Sequence, residues 1–332
     1  MATGDKYPVL MASQLGSANG PAQLNSSAVL PVNQGGTGEG NTQAALLNLG
    51  AGPNSNLIDN GFFLRSQFGL GSTPINQRGQ TTYTASASYQ YVIDRWWMYQ
   101  IGASLTIDEN GISCTSPSSA SGAYASLGQQ IDQDFSNKTV TLSCLVNSNF
   151  YTATTQIPSI VTEGAFITKG FGNGALVFRY TNTRGFFVEL RTTRGQTNVF
   201  QAVKLEEGPS QTLAYQNSNG IYQILPQSYK DELYVCQTYQ LVTSNIEYLR
   251  ANYVNANSIY FVFPTPATLR INPTFSGTMQ IIDFVSGEAQ TGFTFSCYAY
   301  PGEIHIAATK TSHGLTDATL IIPAGVFDAN LH

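Results

Sequence analysis

Tyr91-Val-Ile-Asp-Arg-Trp-Trp-Met-Tyr99 is a short, aromatic-rich run built around one charged pair, Asp94-Arg95. It has the length and residue types of a strand, and similar runs recur along the chain. They lie around Asn56–Phe63, at Ile112, and over Tyr124–Ile131, Val140–Val146, Leu176–Tyr180, Phe186–Leu190 and Asn198–Leu205. Short apolar segments separated by polar turns suit two sheets that bury alternate side chains against each other. Residues 53–212 are therefore expected to form a β-sandwich. After a mixed connector at 213–244, strand-like runs return at Ser258–Phe263, Thr268–Ile271, Met279–Phe284, Gly292–Tyr300, Ile304–Ala308 and Ala318–Ile322. These predict a small C-terminal β-sandwich over 245–332. Pro264 and Pro266 would interrupt a central ladder, which places them at an edge or a strand end.

Composition supports an all-β reading. Of the 332 residues only 11% are charged, against roughly 25% in ordinary soluble domains, while 42% are hydrophobic. The chain has 31 glycines, 18 tyrosines and 18 phenylalanines, as expected of many turns between aromatic strands. A net charge of −5 with 15 basic residues supplies no phosphate-binding field and argues against nucleic acid. Cys114, Cys144, Cys236 and Cys297 are far apart and match neither a metal-ligand nor a redox spacing, so they read as mostly buried thiols, with an extracellular disulfide left open by spacing alone. No basic-then-apolar leader and no stretch long enough to span a bilayer is legible, so neither a secretory signal nor membrane insertion is expected.

Residues 1–52 are poor in aromatics and cannot supply a core alone. Within them Asn33-Gln-Gly-Gly-Thr-Gly38 reads as a turn, and Thr42-Gln-Ala-Ala-Leu-Leu-Asn-Leu49 as a short helix capped by Asn41 or Thr42 and ended by Gly50. A helix this short is marginal by itself, so its leucines call for cover from other copies or another domain. The segment Leu30 to Ala51 resembles the glycine-rich connecting regions of bacteriophage tail-fibre proteins, which are commonly trimeric. Asn56-Leu-Ile-Asp-Asn-Gly-Phe62, Asp94-Arg-Trp-Trp97 and Val203-Lys-Leu-Glu-Glu-Gly208 resemble the opening strand, a middle phrase and the closing strand of tail-protein jelly rolls, which are distantly similar to carbohydrate-binding modules. Leu225 to Leu241 resembles the connector that follows such a module, and Phe263-Pro-Thr-Pro266 with Leu269-Arg-Ile-Asn-Pro273 the start of a small tip module. The resemblance implies a homotrimeric receptor-binding protein of a virion tail or phage-derived particle, made in the host cytoplasm. Its expected partners are a bacterial surface polysaccharide or other glycan and neighbouring tail proteins, with no cofactor.

Trp96 and Trp97 are adjacent, so an extended backbone sends them to opposite faces. Packing accounts for both, while an indole exposed beside polar donors would contact sugar. Tyr99, Tyr124 and Tyr151 are further carbohydrate-binding candidates, and Arg179, Arg184, Arg191 and Arg194 are candidates for an acidic glycan, unless they are simply dispersed surface charges. Cys236 lies three residues from both Leu233 and Tyr239, a helix-face spacing that reads as packing. Glu303 and His305 share one side of a strand. In a trimer that side could carry an axial metal; otherwise it is a polar hairpin face.

Two other functions fit the same chain. A polysaccharide-degrading tail spike would need paired carboxyl groups across a cleft. Asp108, Glu109, Asp132, Asp134, Glu163 and Glu189 supply carboxylates, but no motif pairs them, and His305, His313 and His332 accompany no nucleophile elbow. A structural connector without receptor contact would share the oligomeric architecture.

Overall fold

Gly185-Phe-Phe-Val-Glu-Leu-Arg-Thr-Thr193 shows how period-two patterning builds this fold. Phe186, Val188 and Leu190 join a continuous core, while Phe187, Glu189 and Arg191 alternate onto the opposite face of the strand. The structure, a computed structural model, describes residues 55–64, 74–216, 219–224, 229–243 and 245–329. The segment 1–52, expected to carry a short helix at 42–49 and to assist oligomer formation, lies outside the described residues. The architecture is all-β, with several antiparallel sheets and one described helix.

Residues 82–207 contribute β1 (Thr82–Thr84), β2 (Gln90–Ile93), β3 (Trp96–Tyr99), β4 (Ser104–Asp108), β5 (Gly111–Thr115), β6 (Tyr124–Ile131), β7 (Thr139–Val146), β8 (Asn149–Gln156), β9 (Gly164–Phe171), β10 (Gly174–Thr181), β11 (Gly185–Thr193) and β12 (Thr197–Glu207). They pair as two six-stranded sheets, β1-β4-β5-β12-β7-β8 and β2-β3-β6-β11-β10-β9. Trp96, Leu127, Phe178 and Leu190 of the second sheet share one core with Leu105, Cys114, Leu142 and Leu205 of the first. Burying each large apolar side chain contributes about 1.5–3 kcal/mol. The layered arrangement is sandwich-like.

The run Asn56–Phe63, expected as an opening strand, is instead an irregular segment laid along β12. Leu57 N–H donates to the Leu205 carbonyl at 2.9 Å, Val203 N–H to that of Gly61 at 2.8 Å, and Phe62 forms a single bridge with Ala202. Asn60 adopts φ 53°, which breaks the extended path. In exchange its side-chain amide donates to the Ile75 and Asp94 carbonyls, each at 2.9 Å.

Residues 56–209 and 226–332 belong to one unit, and 210–225 to another whose described part contains a hairpin of Ala214–Gln216 with Tyr222–Ile224. Helix α1 (Tyr229–Tyr239) precedes three antiparallel sheets of three, four and four strands. Ile259, Phe261, Ile281, Ile306, Leu320 and Phe327 form their core. Pro264 stands at the end of the strand Ser258–Pro264, as its missing N–H requires. The strand expected at Thr268–Ile271 is absent. Flanked by prolines, this stretch instead buries Leu269 and sends the Arg270 N–H to the Thr238 carbonyl at 3.0 Å. Among the described residues no helix is long and apolar enough to cross a membrane.

A polar seam joins α1 and the C-terminal sheets to the twelve-stranded part. Arg95, at φ 71° and 4% exposed, donates from Nε to Asp59 at 2.8 Å and from Nη2 to the Gln130 carbonyl at 2.9 Å, and its guanidinium lies 3.3 Å from the Tyr239 ring centre. Asp132 accepts the Tyr239 hydroxyl at 3.1 Å and pairs with Arg270. Asp94 accepts the Gln77 N–H at 3.1 Å and the Gln240 side-chain amide. Glu232, on α1, accepts the Asn60 N–H at 2.5 Å.

Burial raises the carboxyl of Glu232 to about 7, against the pull of the Asn60 N–H, and that of Asp94 to about 6, against its Gln77 hydrogen bonds and Arg78. Between their ordinary values near 4 and these raised ones, the folded chain binds protons that the unfolded chain has lost. Their contribution to stability is therefore fully present only below about pH 4 and is lost progressively as pH rises from there through the folded values near 6 and 7. We expect Glu232→Gln, which keeps an acceptor for Asn60 without the charge, to raise the thermal midpoint at pH 8 and to flatten the pH dependence between 5 and 7. A variant curve parallel to that of the parent chain would show that Glu232 does not titrate in the fold.

Candidate functional site

The face of β2-β3-β6-β11-β10-β9 that points away from the shared core collects most of the candidate ligand-binding residues. Strand register lays them out in cross-strand rows. Tyr99 pairs with Ser126 and Ser126 with Arg191, which in turn opposes Ala175. In the next row Trp97 pairs with Gly128, Gly128 with Glu189, and Glu189 with Val177. Beyond it Gln130, Phe187 and Arg179 follow in line.

The aromatic rings on this face form a connected group. Tyr89 meets Trp97 edge-on at 5.1 Å and Tyr99 at 5.2 Å, and Tyr99 lies 6.0 Å from Tyr124. Trp97 is 1% exposed because its indole lies over Gly128, where any Cβ would overlap the six-membered ring. Tyr89, by contrast, is 41% exposed and has φ 60°, a conformation that costs a non-glycine residue about 1 kcal/mol or more. Its ring is held at the surface by a backbone geometry that local sterics oppose.

Charge on the face is arranged around Glu189, whose side chain is 6% exposed. Arg191 donates to Glu189 Oε2 from Nη2 at 2.6 Å and from Nε at 3.1 Å, and covers the Tyr124 ring at 4.1 Å. Arg179 stands 3.9 Å from the same oxygen, and its buried Nε has no hydrogen-bond partner. Arg184 lies 3.9 Å from the centre of the Tyr89 ring and, among the described residues, pairs with no carboxylate. Two guanidinium groups thus share one carboxylate, and a third, that of Arg184, has none. Burial, reinforced by Glu189, raises the Tyr124 hydroxyl, which keeps its proton and remains a donor.

Trp97, Tyr99, Tyr124, Arg179, Arg184 and Arg191, dispersed in sequence, are brought to this one face. Trp96 is not among them: it is fully buried in the core, with its Nε1–H donated to the Asn60 carbonyl at 2.9 Å. Tyr151 is on β8 of the other sheet, 5.5 Å from Phe171, and Arg194 is exposed in the turn after β11, its guanidinium donating to the Ala120 carbonyl at 3.3 Å and its backbone N–H to that of Ala123 at 3.0 Å. Sequence reading passed over Tyr89, Phe187, Ser126 and Gly128. The spacing of Phe187, Glu189 and Arg191 by twos carried the signal for a shared face, whereas Tyr89 became visible only through tertiary contact.

The remaining candidates have local partners. Glu303 and His305 do share a strand side; they bond each other at 2.6 Å, and the imidazole stacks on Tyr300 at 4.1 Å. Among the described residues no group of three or more His, Cys, Asp or Glu could hold a metal ion. All four cysteines are free, and burial pushes the Cys114 thiol up to about 12 and that of Cys297 to about 11. Of the acidic residues, Asp108 and Asp134 accept N–H groups in their own turns, Glu163 accepts the Asn182 N–H, and Asp132 belongs to the seam. No family model and no curated protein matches the chain.

Proposed function

We propose that this chain is a non-catalytic receptor-binding component of a phage tail fibre or related particle, and that its jelly-roll-like part adheres to bacterial surface glycans through the aromatic and arginine face of β2-β3-β6-β11-β10-β9. One observation carries the reading: Tyr89, Tyr99 and Tyr124 stand together on one sheet face beside hydrogen-bond donors. Tyrosine rings stack on the apolar faces of sugars, and guanidinium and hydroxyl groups bond their oxygens. The tail-fibre resemblance of the sequence supports a trimer, in which three such faces reaching one cell surface convert weak single contacts into avidity.

A glycan array probed with the intact oligomer tests the reading. Binding is expected, and Tyr89→Ala combined with Tyr99→Ala should weaken it by about tenfold or more, given about 1 kcal/mol for each stacked ring. Retention of full binding by the double variant would move the site elsewhere. Failure to bind any glycan or host cell, together with burial of this face against another tail protein in particles, would make the chain a structural connector.

A further inference from the structure

We propose that the glycan taken by this face is acidic, a uronic-acid polysaccharide whose carboxylate docks between Arg179 and Arg184 while its ring lies on Tyr89 and Tyr99. The inference rests on the glycan-binding reading above and goes further by fixing the class of ligand.

Its basis is an imbalance of charge built into the sheet. Glu189 commits its Oε2 to Arg191 through two donors, at 2.6 and 3.1 Å, and also receives the Ser126 hydroxyl at 3.3 Å on Oε1. Arg179 is left with a 3.9 Å approach to that carboxylate and a distant position, 5.4 Å, over the Phe187 ring. Its Nε is buried without a partner, a cost to stability, while the side chain as a whole is 31% exposed and open to an external acceptor. Arg184 is engaged only through the rings of Tyr89 and Trp97, at 3.9 and 5.8 Å, and through its backbone in the turn after β10. Arg184, against Tyr89, therefore has no anion, and Arg179, beside Phe187 on the same sheet face, has only the longer approach to Glu189, in a chain whose net charge is −5. A neutral sugar would leave that surplus unanswered. A carboxylate meets it with the fork geometry that guanidinium groups favour.

The local surplus also has a kinetic consequence. A cationic patch on an otherwise acidic chain attracts an anionic polymer to this face specifically, and the attraction weakens with salt.

The test compares immobilised uronic-acid polysaccharides, alginate and hyaluronan among a panel of bacterial capsular polymers, with the same polymers after chemical reduction of their carboxyl groups to alcohols. The full-length oligomer is expected to bind at least one carboxylated polymer at least tenfold more tightly than its reduced form, and more weakly as salt rises. Arg184→Gln, placed in a turn, should lower that affinity by about tenfold without altering the thermal midpoint. Arg179→Gln should do the same, and Arg194→Gln, outside the face, should have no effect. Equal binding to reduced polymers, or binding confined to neutral glycans and unaffected by Arg184→Gln, overturns the acidic class while leaving the glycan site in place. Absence of binding to every glycan defeats the underlying reading instead.

Discussion

Arg95→Ala is expected to destabilise the protein by about 3–5 kcal/mol, the range for removing one partner of a buried charge cluster. The side chain is 4% exposed and joins Asp59, the Gln130 carbonyl and the face of Tyr239. Its loss leaves Asp59 without its cation and exposes Asp132, 3.9 Å away, to a second uncompensated carboxylate nearby. Arg270 pairs with Asp132 and also covers Tyr239, at 4.6 Å, but it does not replace the donor to Gln130. Lysine should rescue little, because one ammonium cannot bond Asp59, bond a carbonyl and stack on a ring at once.

The positive φ of Arg95 allows the backbone and side-chain contributions to be separated. Arg95→Gly loses the same guanidinium but relieves a conformation that disfavours side chains, so it should be about 1 kcal/mol less damaging than Arg95→Ala. Urea unfolding of the three proteins measures both differences. An alanine variant within 1 kcal/mol of the parent would sink the assignment of this seam as a principal tie between α1, the C-terminal sheets and the twelve-stranded part.

Gly128→Ala is expected to cost about 3 kcal/mol, although alanine is ordinarily no worse than glycine in a strand. The added methyl would occupy the space of the Trp97 ring, which cannot retreat between Tyr89 and Phe187 without breaking contacts at 5.1 and 6.2 Å. The chain has two tryptophans, both buried, so displacement of one should appear as a red shift and broadening of the fluorescence emission. Glycan binding should fall with it, since Trp97 supports the exposed Tyr89. A smaller residue at the other end of the contact provides the internal check: Trp97→Leu in the Gly128→Ala background should recover part of the lost stability, a non-additive coupling of about 1 kcal/mol or more. Additive losses would show that the two positions do not compete for the same space.

Much of the fold was legible because burial in a two-layer β structure imposes period two on the sequence. Tyr124–Ile131, Val140–Val146 and Phe186–Leu190 could be read as strands directly, and each lies within one. Asn149–Gln156 and Gly164–Phe171 were harder, since as edge strands with much of their surface in water they carry polar residues where a central strand would not. Thr268–Ile271 misled for the opposite reason: Leu269 serves irregular packing while Ile271 is exposed, and the surrounding prolines withhold ladder donors.

For the candidate site, sequence alone determined the inventory of tyrosines and arginines and the opposite orientations of Trp96 and Trp97, because side-chain alternation is a local property of extended backbone. Which of these residues meet was decided only by tertiary structure. Strand order brings β3, β6, β11 and β10 side by side, so residues as far apart in the chain as Trp97 and Arg179 come to share one face, while Tyr151 goes to the other sheet. The charge of Arg95 was readable as well, but not its place: a backbone at positive φ turns it into the seam with α1, and that conformation is selected by the partners waiting there, not by its neighbours in sequence.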